Sequence, residues 1–365
     1  MTWNHEKIEI LQRLREKFLN PSSIQGSYWD SNLTLEAYDE FFGKRNRWKI
    51  DFVLSDIFGR NSFMLDLFKT QKKIRILDWG CGSGAFADVF LSQLFERNAI
   101  MQAPTQVELL FFDHSELAMK YCKNKAIKNW GQKVKVHLSE IHAEGFFLKE
   151  NFNILLLSHV INESLTAIDL KNIFELAEKS DFVLWVESGR KEESDQLIRA
   201  RNDFLQKHEG FAVLGPCLHG RQCRIADKPS QWCHFNFRPP SESAQDGDWV
   251  KIQKILGVDS RFLSVSFCAM IRKTHRVDSG LRVSHQGEKE KFRVLGSMQE
   301  LKGRFQLMSC FENGELEVKN LPQKNSSLWY KDTQRLHKKN RQILLGQSEI
   351  LDDKLISGEW IGYEK

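Results

Sequence analysis

Ile74-Arg-Ile-Leu-Asp-Trp-Gly-Cys-Gly-Ser-Gly84 decides the fold. Ile74–Leu77 is a short apolar run suited to a buried strand, and Asp78 then leads into three glycines at alternate positions, Gly80, Gly82 and Gly84. Glycine allows a tight turn and lets the backbone approach a ligand closely. Beyond Gly84, Phe86, Val89, Phe90 and Phe95 recur at helical spacing, so the loop joins a strand to a helix. That is the setting a nucleotide-binding loop requires, although the spacing differs from the dinucleotide fingerprint G-x-G-x-x-G.

Working outward, further β-rich runs occur at Val107–Phe112, Val134–Leu138, Ile154–Leu157 and Phe182–Val186. Amphipathic helical patterns such as Leu170, Ile173, Phe174 and Leu176 lie between them. Strands alternating with helices predict an α/β, doubly wound, Rossmann-like parallel sheet covered on both faces. Upstream, Ile8, Leu11, Leu14 and Phe18 predict N-terminal helices, with Pro21-Ser-Ser breaking them from a second periodic stretch after Leu33. Downstream, a helix near Glu192–His208 precedes a short strand, Phe211–Leu214, and a longer one, Phe262–Ile271. These two are expected to pair antiparallel and close the sheet. Leu281–Val283, Phe292–Leu295, Phe305–Ser309 and Leu316–Val318 then predict a small C-terminal β domain, with Glu312-Asn313-Gly314 as a hairpin turn. The expected domains are 1–70 (helical), 71–275 (nucleotide domain with a cysteine-rich insertion at 215–240) and 276–365 (β-rich with a basic tail).

The loop Asp78-x-Gly-x-Gly-x-Gly84 resembles the first motif of class I S-adenosylmethionine-dependent methyltransferases. The resemblance implies that Asp78, Gly80, Cys81, Gly82 and Gly84 wrap the amino-acid part of S-adenosylmethionine. An acid ending the second strand would hold the ribose hydroxyls; Asp113 stands there, and a carboxylate can accept from both hydroxyls. The fourth strand ends in Leu157-Ser-His-Val-Ile-Asn-Glu163, without the Asn/Asp-Pro-Pro-Tyr motif typical of base-amine methyltransferases. His159 is expected to line the cofactor pocket or act as a base, or else to be an ordinary polar residue at a strand end. No catalytic residue can be named.

Three cysteines crowd the insertion: Cys217, Cys223 and Cys233, spaced C-x5-C and C-x9-C. In a chain with no secretory signal such thiols suit metal better than disulfides. The tight C-x2-4-C knuckles of structural zinc are missing, as is the C-x3-C-x2-C run of radical enzymes. An iron–sulfur cluster and zinc both stay open, with His219 and His234 supporting zinc. Of the remaining cysteines, Cys310 meets a hairpin and could reach the loop, whereas Cys268 sits mid-strand as a small buried thiol. Cys81 and Cys122 belong to the nucleotide domain.

The 365 residues include 26 Phe and 10 Trp, ample for a large core, and carry a net charge of +5. That charge permits a nucleic-acid partner without requiring one. No apolar run approaches the roughly 18 residues that cross a bilayer, so no membrane partner is expected. Glu6 and Glu9 near the start argue against a transit peptide, and a cytoplasmic location is expected. The stretch Lys319–Arg341 concentrates seven basic residues around Trp329 and Tyr330, which reads either as a solvated helix face or as an RNA contact.

The order of these features resembles the mitochondrial small-ribosomal-subunit methyltransferase-like proteins and their bacterial relatives. It comprises the glycine loop, Val186-Glu-Ser-Gly189, Pro216-Cys-x-His, Cys223, Trp232-Cys-His-Phe235 and a lone late cysteine. The likeness covers residues 35 to 320. It implies a 4Fe-4S cluster on Cys217, Cys223, Cys233 and Cys310, S-adenosylmethionine binding, and association with the small ribosomal subunit and its rRNA. Leu218 and Arg224 depart from the family pattern, which usually has proline after the first two cysteines. Three functions are therefore expected to compete: an rRNA methyltransferase, a non-catalytic subunit assembly factor, and a small-molecule methyltransferase. No DNA partner is expected.

Overall fold

The computed structural model describes residues 3–20, 28–97, 106–138, 151–161, 166–275, 289–324, 327–339, 344–351 and 353–361. The expected strand Leu281–Val283, the break at Pro21 and Arg341 lie outside the described residues.

The glycine loop follows β1 (Lys73–Trp79), and the sheet grows from it. On one side β1 pairs parallel with β2 (Gln106–Phe112), and β2 with β3 (Val134–Leu138). On the other it pairs with β4 (Ile154–Ser158), which pairs with β5 (Phe182–Ser188). The order 3-2-1-4-5 reverses direction of growth at β1, which makes the carboxyl ends of β1 and β4 the switch point where α/β sheets open a crevice. Side chains alternate between two cores, as a period of two requires. Ile74, Ile76, Ile154 and Leu156 face one core; Leu77, Trp79, Leu155 and Leu157 face the other.

The first core is covered by α3 (Lys44–Arg60), α5 (Ala85–Glu96) and α6 (Glu116–Trp130), the second by α7 (Ala167–Lys179) and α8 (Lys191–Lys207). The starts of two of these helices are fixed locally: Ser115 accepts from the Ala118 N–H of α6, and Thr166 and Asp169 form a reciprocal capping box on α7. Ahead of α3, α1 (His5–Leu19) and α2 (Asn32–Tyr38) run into one π-helical turn at Asp39–Gly43, and α4 (Phe63–Thr70) follows α3. Leu11, Leu14 and Phe41 pack there with Trp249 of α9 (Gly247–Leu256). No helix among the described residues is long and apolar enough to cross a membrane.

β8 (Leu263–Arg272) runs antiparallel to β5. Its other rim is shared by β6 (Phe211–Gly215) and by β7 (Phe235–Phe237), a strand inside the cysteine insertion that the sequence does not announce. The insertion therefore leaves one stretch of β8 and returns to the next. β7 in turn bridges to β9 (Glu290–Leu301) at Gly296, so the C-terminal strands continue the same sheet. β9, β10 (Arg304–Phe311) and β11 (Leu316–Pro322) form successive antiparallel pairs, with Gly314 at φ +87° in the expected hairpin turn.

The basic tail takes the first of its two expected readings, a helix face with Lys331, Arg335 and Lys338 exposed. It forms α10 (Ser327–Lys339) and leads to a β12–β13 hairpin (Leu345–Leu351, Lys354–Trp360). Trp329 and Tyr330 are buried in the C-terminal core with Phe292, Phe305 and Trp360. Lys319 is buried too, with its ammonium on Glu317. Trp329 is thus a core residue with no free face for a base, because an aromatic side chain on the apolar stripe of a helix gains more from burial than from solvent.

Candidate functional site

At the end of β1 the loop is shaped by backbone. Gly80, Gly82 and Gly84 have φ of +70°, +50° and +72°, left-handed values that a side chain disfavours. The N–H groups of Gly80 and Cys81 both donate to the Phe112 carbonyl, at 2.8 and 2.9 Å. This ties the loop to the end of β2. Asp113 completes the tie: its Oδ2 accepts from Gly82 N–H at 2.9 Å and its Oδ1 from Ser115 N–H at 2.9 Å. Each carboxylate oxygen keeps a further lone pair. Space is tight around the loop. A Cβ at Gly80 would stand 2.4 Å from Val160 Cγ1, and one at Gly84 3.2 Å from Cys122 Sγ. Cys122 lies beneath the loop and donates to the Gly82 carbonyl at 3.1 Å; Cys81 is buried beside it.

Asp78 is buried, with Oδ2 accepting from the Ala87 N–H at 3.2 Å and Oδ1 partnerless. Burial pushes its pKa up to about 7, Asp113 adding to the effect. The N-terminal segment closes over the loop. Lys125 donates to the Ser83 carbonyl at 3.1 Å and pairs with Asp39, which also pairs with Arg47 at 2.6 Å. Trp29 packs 3.7 Å from where a Gly82 Cβ would be.

Beyond β4, His159 takes φ +58°, the one left-handed value at a non-glycine among the described residues. A positive φ at histidine is uncommon and marks functional segments more often than chance. Its N–H donates to Val186 O at 3.0 Å and its Nε2 is enclosed without a partner. Burial, with the Lys49 charge nearby, holds the imidazole well below the usual histidine range. Glu187, at the end of β5, is fully buried. Its Oε1 accepts from Trp185 Nε1 (2.7 Å) and from the N–H groups of Val160 (3.0 Å) and Ile161 (3.2 Å). Its Oε2 has no partner, and burial pushes its pKa up to about 8. The structure thus gathers Asp78, the loop glycines, Cys81, Asp113 and His159 at one edge of the sheet. Glu187, from the Val186-Glu-Ser-Gly189 stretch, joins them, and so does Lys49, unannounced because a lysine inside an amphipathic helix reads as a solvated face.

The second site lies across β8. Cys217, Cys223, Cys233 and Cys310 line one cavity of about 590 Å³. The first two come from the loop after β6, the third precedes β7, and the fourth projects from β10. Cys268 is fully buried on the far face with Met270 and Phe204, away from this cavity. The loop is held by backbone-directed bonds. The buried Arg201 donates to the carbonyls of His219 and Arg221, each at 2.8 Å. Asn202 brackets Cys223, accepting from its N–H and donating to its carbonyl. Ser194 and Ser266 both donate to the Cys233 carbonyl. Across the cavity Arg221 reaches the Asn313 carbonyl at 3.0 Å, joining loop and hairpin.

Burial pushes the Cys223 thiol up to about 11 and raises those of Cys233 and Cys310, with mutual repulsion between the thiolates adding to it. Among the described residues no three His, Cys, Asp or Glu side chains are placed to share one metal ion. The zinc geometry that His219 and His234 would have completed is not formed. His219 is buried against Gly314 with both ring nitrogens unpartnered, and His234 stacks on Trp232 at 4.5 Å.

A profile of the family described as mitochondrial small ribosomal subunit Rsm22 matches residues 73–337. No curated protein sequence matches the chain. Among solved structures, a candidate RNA methyltransferase from Pyrococcus horikoshii is similar at 14% identity over 71% of this chain and 98% of that one, with a TM-score of 0.32. Magnesium protoporphyrin IX methyltransferase from Synechocystis, with bound S-adenosylmethionine, is similar at 12% identity over 74% of this chain and 100% of that one, with a TM-score of 0.34.

Proposed function

The chain belongs to the mitochondrial small ribosomal subunit Rsm22 family, and from that premise we propose that it binds S-adenosylmethionine and methylates the RNA of the small ribosomal subunit in the cytoplasm. The observation that carries this reading is the hydrogen-bonded unit of Asp113 and the left-handed glycine loop at the switch point of the sheet. The residues fit the group. Asp78 Oδ1 is a buried acceptor lacking a donor, suited to an ammonium, and the left-handed glycines shape the turn beside it. Asp113 retains acceptor capacity for two hydroxyls. When bound, S-adenosylmethionine supplies an electrophilic methyl group on a sulfonium. The chain holds and orients it, excludes water through Trp29 and the N-terminal segment, and gains rate chiefly from alignment.

For the cysteine cavity we propose a 4Fe-4S cluster held by Cys217, Cys223, Cys233 and Cys310. Among the described residues the cavity lining offers four thiols and no imidazole nitrogen, a donor set that favours a thiolate-bound polynuclear group. The cluster would supply cross-linking of the insertion to β10, with the thiol protons released as metal enters.

Incubation with labelled S-adenosylmethionine and immature small subunits tests the enzyme. Label in the RNA supports it, and its absence despite tight subunit binding replaces it with the second reading, a non-catalytic assembly factor. The end of β4, which brings His159 and Val160 where base-amine methyltransferases carry a proline-rich motif, favours that reading. For the metal, iron and sulfide assay with visible absorption of anaerobic protein decides; colourless protein with stoichiometric zinc ends the cluster.

A further inference from the structure

Between the glycine loop and the end of β5 sits a group of polar atoms that neither the cofactor nor the fold uses. Glu187 Oε2, Glu193 Oε2 and His159 Nε2 are all enclosed and partnerless. Lys49, on α3, is in electrostatic reach of both glutamates and of His159, yet carries no hydrogen bond or ion pair among the described residues. Interiors rarely leave several polar groups unmatched in one place; each costs about 1–3 kcal/mol unless a ligand or water satisfies it. The group abuts the loop directly. Glu187 Oε1 holds the Val160 N–H, and Val160 packs on Gly80. A basic groove lies one helical turn away along α3. One turn before Lys49, Arg45 donates to Ser260 Oγ at the rim of a groove of about 880 Å³ lined by Arg238, Lys254, Arg261 and the half-exposed Phe262.

We infer that this is the acceptor site, in which Lys49 is a catalytic residue taking the proton from an amine, amide or hydroxyl of the RNA as that atom is methylated. The inference rests on the methyltransferase reading above. The acceptor's lone pair forms the bond to the methyl carbon while the carbon–sulfur bond breaks and leaves its pair on sulfur. The acceptor's proton moves to the neutral Lys49 amine, which becomes an ammonium, so the sulfonium charge is conserved on lysine. Glu187 and Glu193 then face the new cation. The surroundings favour a neutral amine beforehand. Lys49 keeps some exposed surface, but the protein packed about its ammonium lowers its pKa to about 7, helped by Arg45 and opposed by Glu187 and Glu193. Among the described residues His159 also couples to the Lys49 charge, and Glu193 is itself paired with Arg190 at 3.4 Å. A base poised near the working pH is the most effective kind.

Lys49→Arg is the decisive variant, because guanidinium stays charged and cannot accept a proton. With full-length protein, labelled S-adenosylmethionine and immature small subunits, single-turnover transfer should fall about 100-fold or more in K49R and K49M. S-adenosylhomocysteine affinity should stay within threefold of wild type. The wild-type rate should rise through neutral pH to a plateau. Independently, pH-dependent acylation read by mass spectrometry should give Lys49 a midpoint far below that of exposed Lys251. Transfer by wild type with K49R within threefold of it overturns the role of Lys49 alone. A Lys49 midpoint equal to that of Lys251, or no acylation up to pH 10, does the same. No transfer by wild type that still binds S-adenosylhomocysteine removes both the enzyme and this inference.

Discussion

At the glycine loop a run of consecutive residues and one aspartate side chain shape a site, whereas at the cysteine cavity four thiols arrive from three elements between Cys217 and Cys310. The loop is set as it stands: the N–H groups of Gly80, Cys81, Gly82 and Gly84 are bonded, its turn angles are fixed, and its floor is packed. The cavity is framed but not closed. Its loop is pinned by backbone groups to Arg201, Asn202, Ser194 and Ser266, while burial raises the thiols of Cys223, Cys233 and Cys310. A turn set by its own backbone and a cavity walled by distant elements are two different ways to use sequence.

Breaking either site should therefore look different. The largest effect is expected at the cavity, where Cys310→Ser should remove most bound iron from anaerobically purified protein while Cys268→Ser leaves it intact. Equal loss from both would erase the distinction between wall and core thiols. Next, Arg201→Met strips the donors from two loop carbonyls at once and should cost roughly 3–5 kcal/mol in chemical denaturation; a loss under 1 kcal/mol would mean the loop is held by its thiols alone.

Glu187 tests the loop side by pH. Its pKa rises from about 4.5 unfolded to about 8 folded, so its contribution is fully present below pH 4.5 and is lost as pH climbs toward 8. Glu187→Gln should remove roughly 4–5 kcal/mol of that decline, since each tenfold change in proton affinity is worth about 1.36 kcal/mol. Denaturation curves of the two proteins that stay parallel from pH 5 to pH 8 would contradict it. Last come two glycines. Gly80→Ala should weaken S-adenosylhomocysteine binding at least tenfold and cost about 2 kcal/mol, from its left-handed φ and the crowding at Val160. Gly220→Ala in the cysteine loop meets nothing within 4 Å and should shift stability by under about 0.5 kcal/mol.

The same contrast explains what can be read in advance. The strands of the nucleotide domain announce themselves as apolar runs because a sheet buried on both faces needs them. The loop is a contiguous pattern, and Asp113 is marked by its place at the end of the second β-rich run. β12 and β13 are not legible: Gly346 and Gly358 interrupt their alternation, and both glycines admit the rings of Phe292, Trp360 and Trp329. The tail's tryptophan misleads for a related reason, since charge counted along a sequence does not say which face of a helix is turned inward. Convergence of Cys310 on the loop requires the β10 register, and Lys49 requires knowing that α3 passes the end of β5.

The rim of β8 has one more consequence. β6 covers it as far as Ala269 and β7 takes over at Val265, so Ser266, Phe267 and Cys268 are screened by the cysteine loop rather than by a strand. An uncovered stretch of central strand is a template for a neighbouring chain. Preparations grown without iron should accordingly clump first through this gap, and solubility becomes a readout of how well the loop is seated.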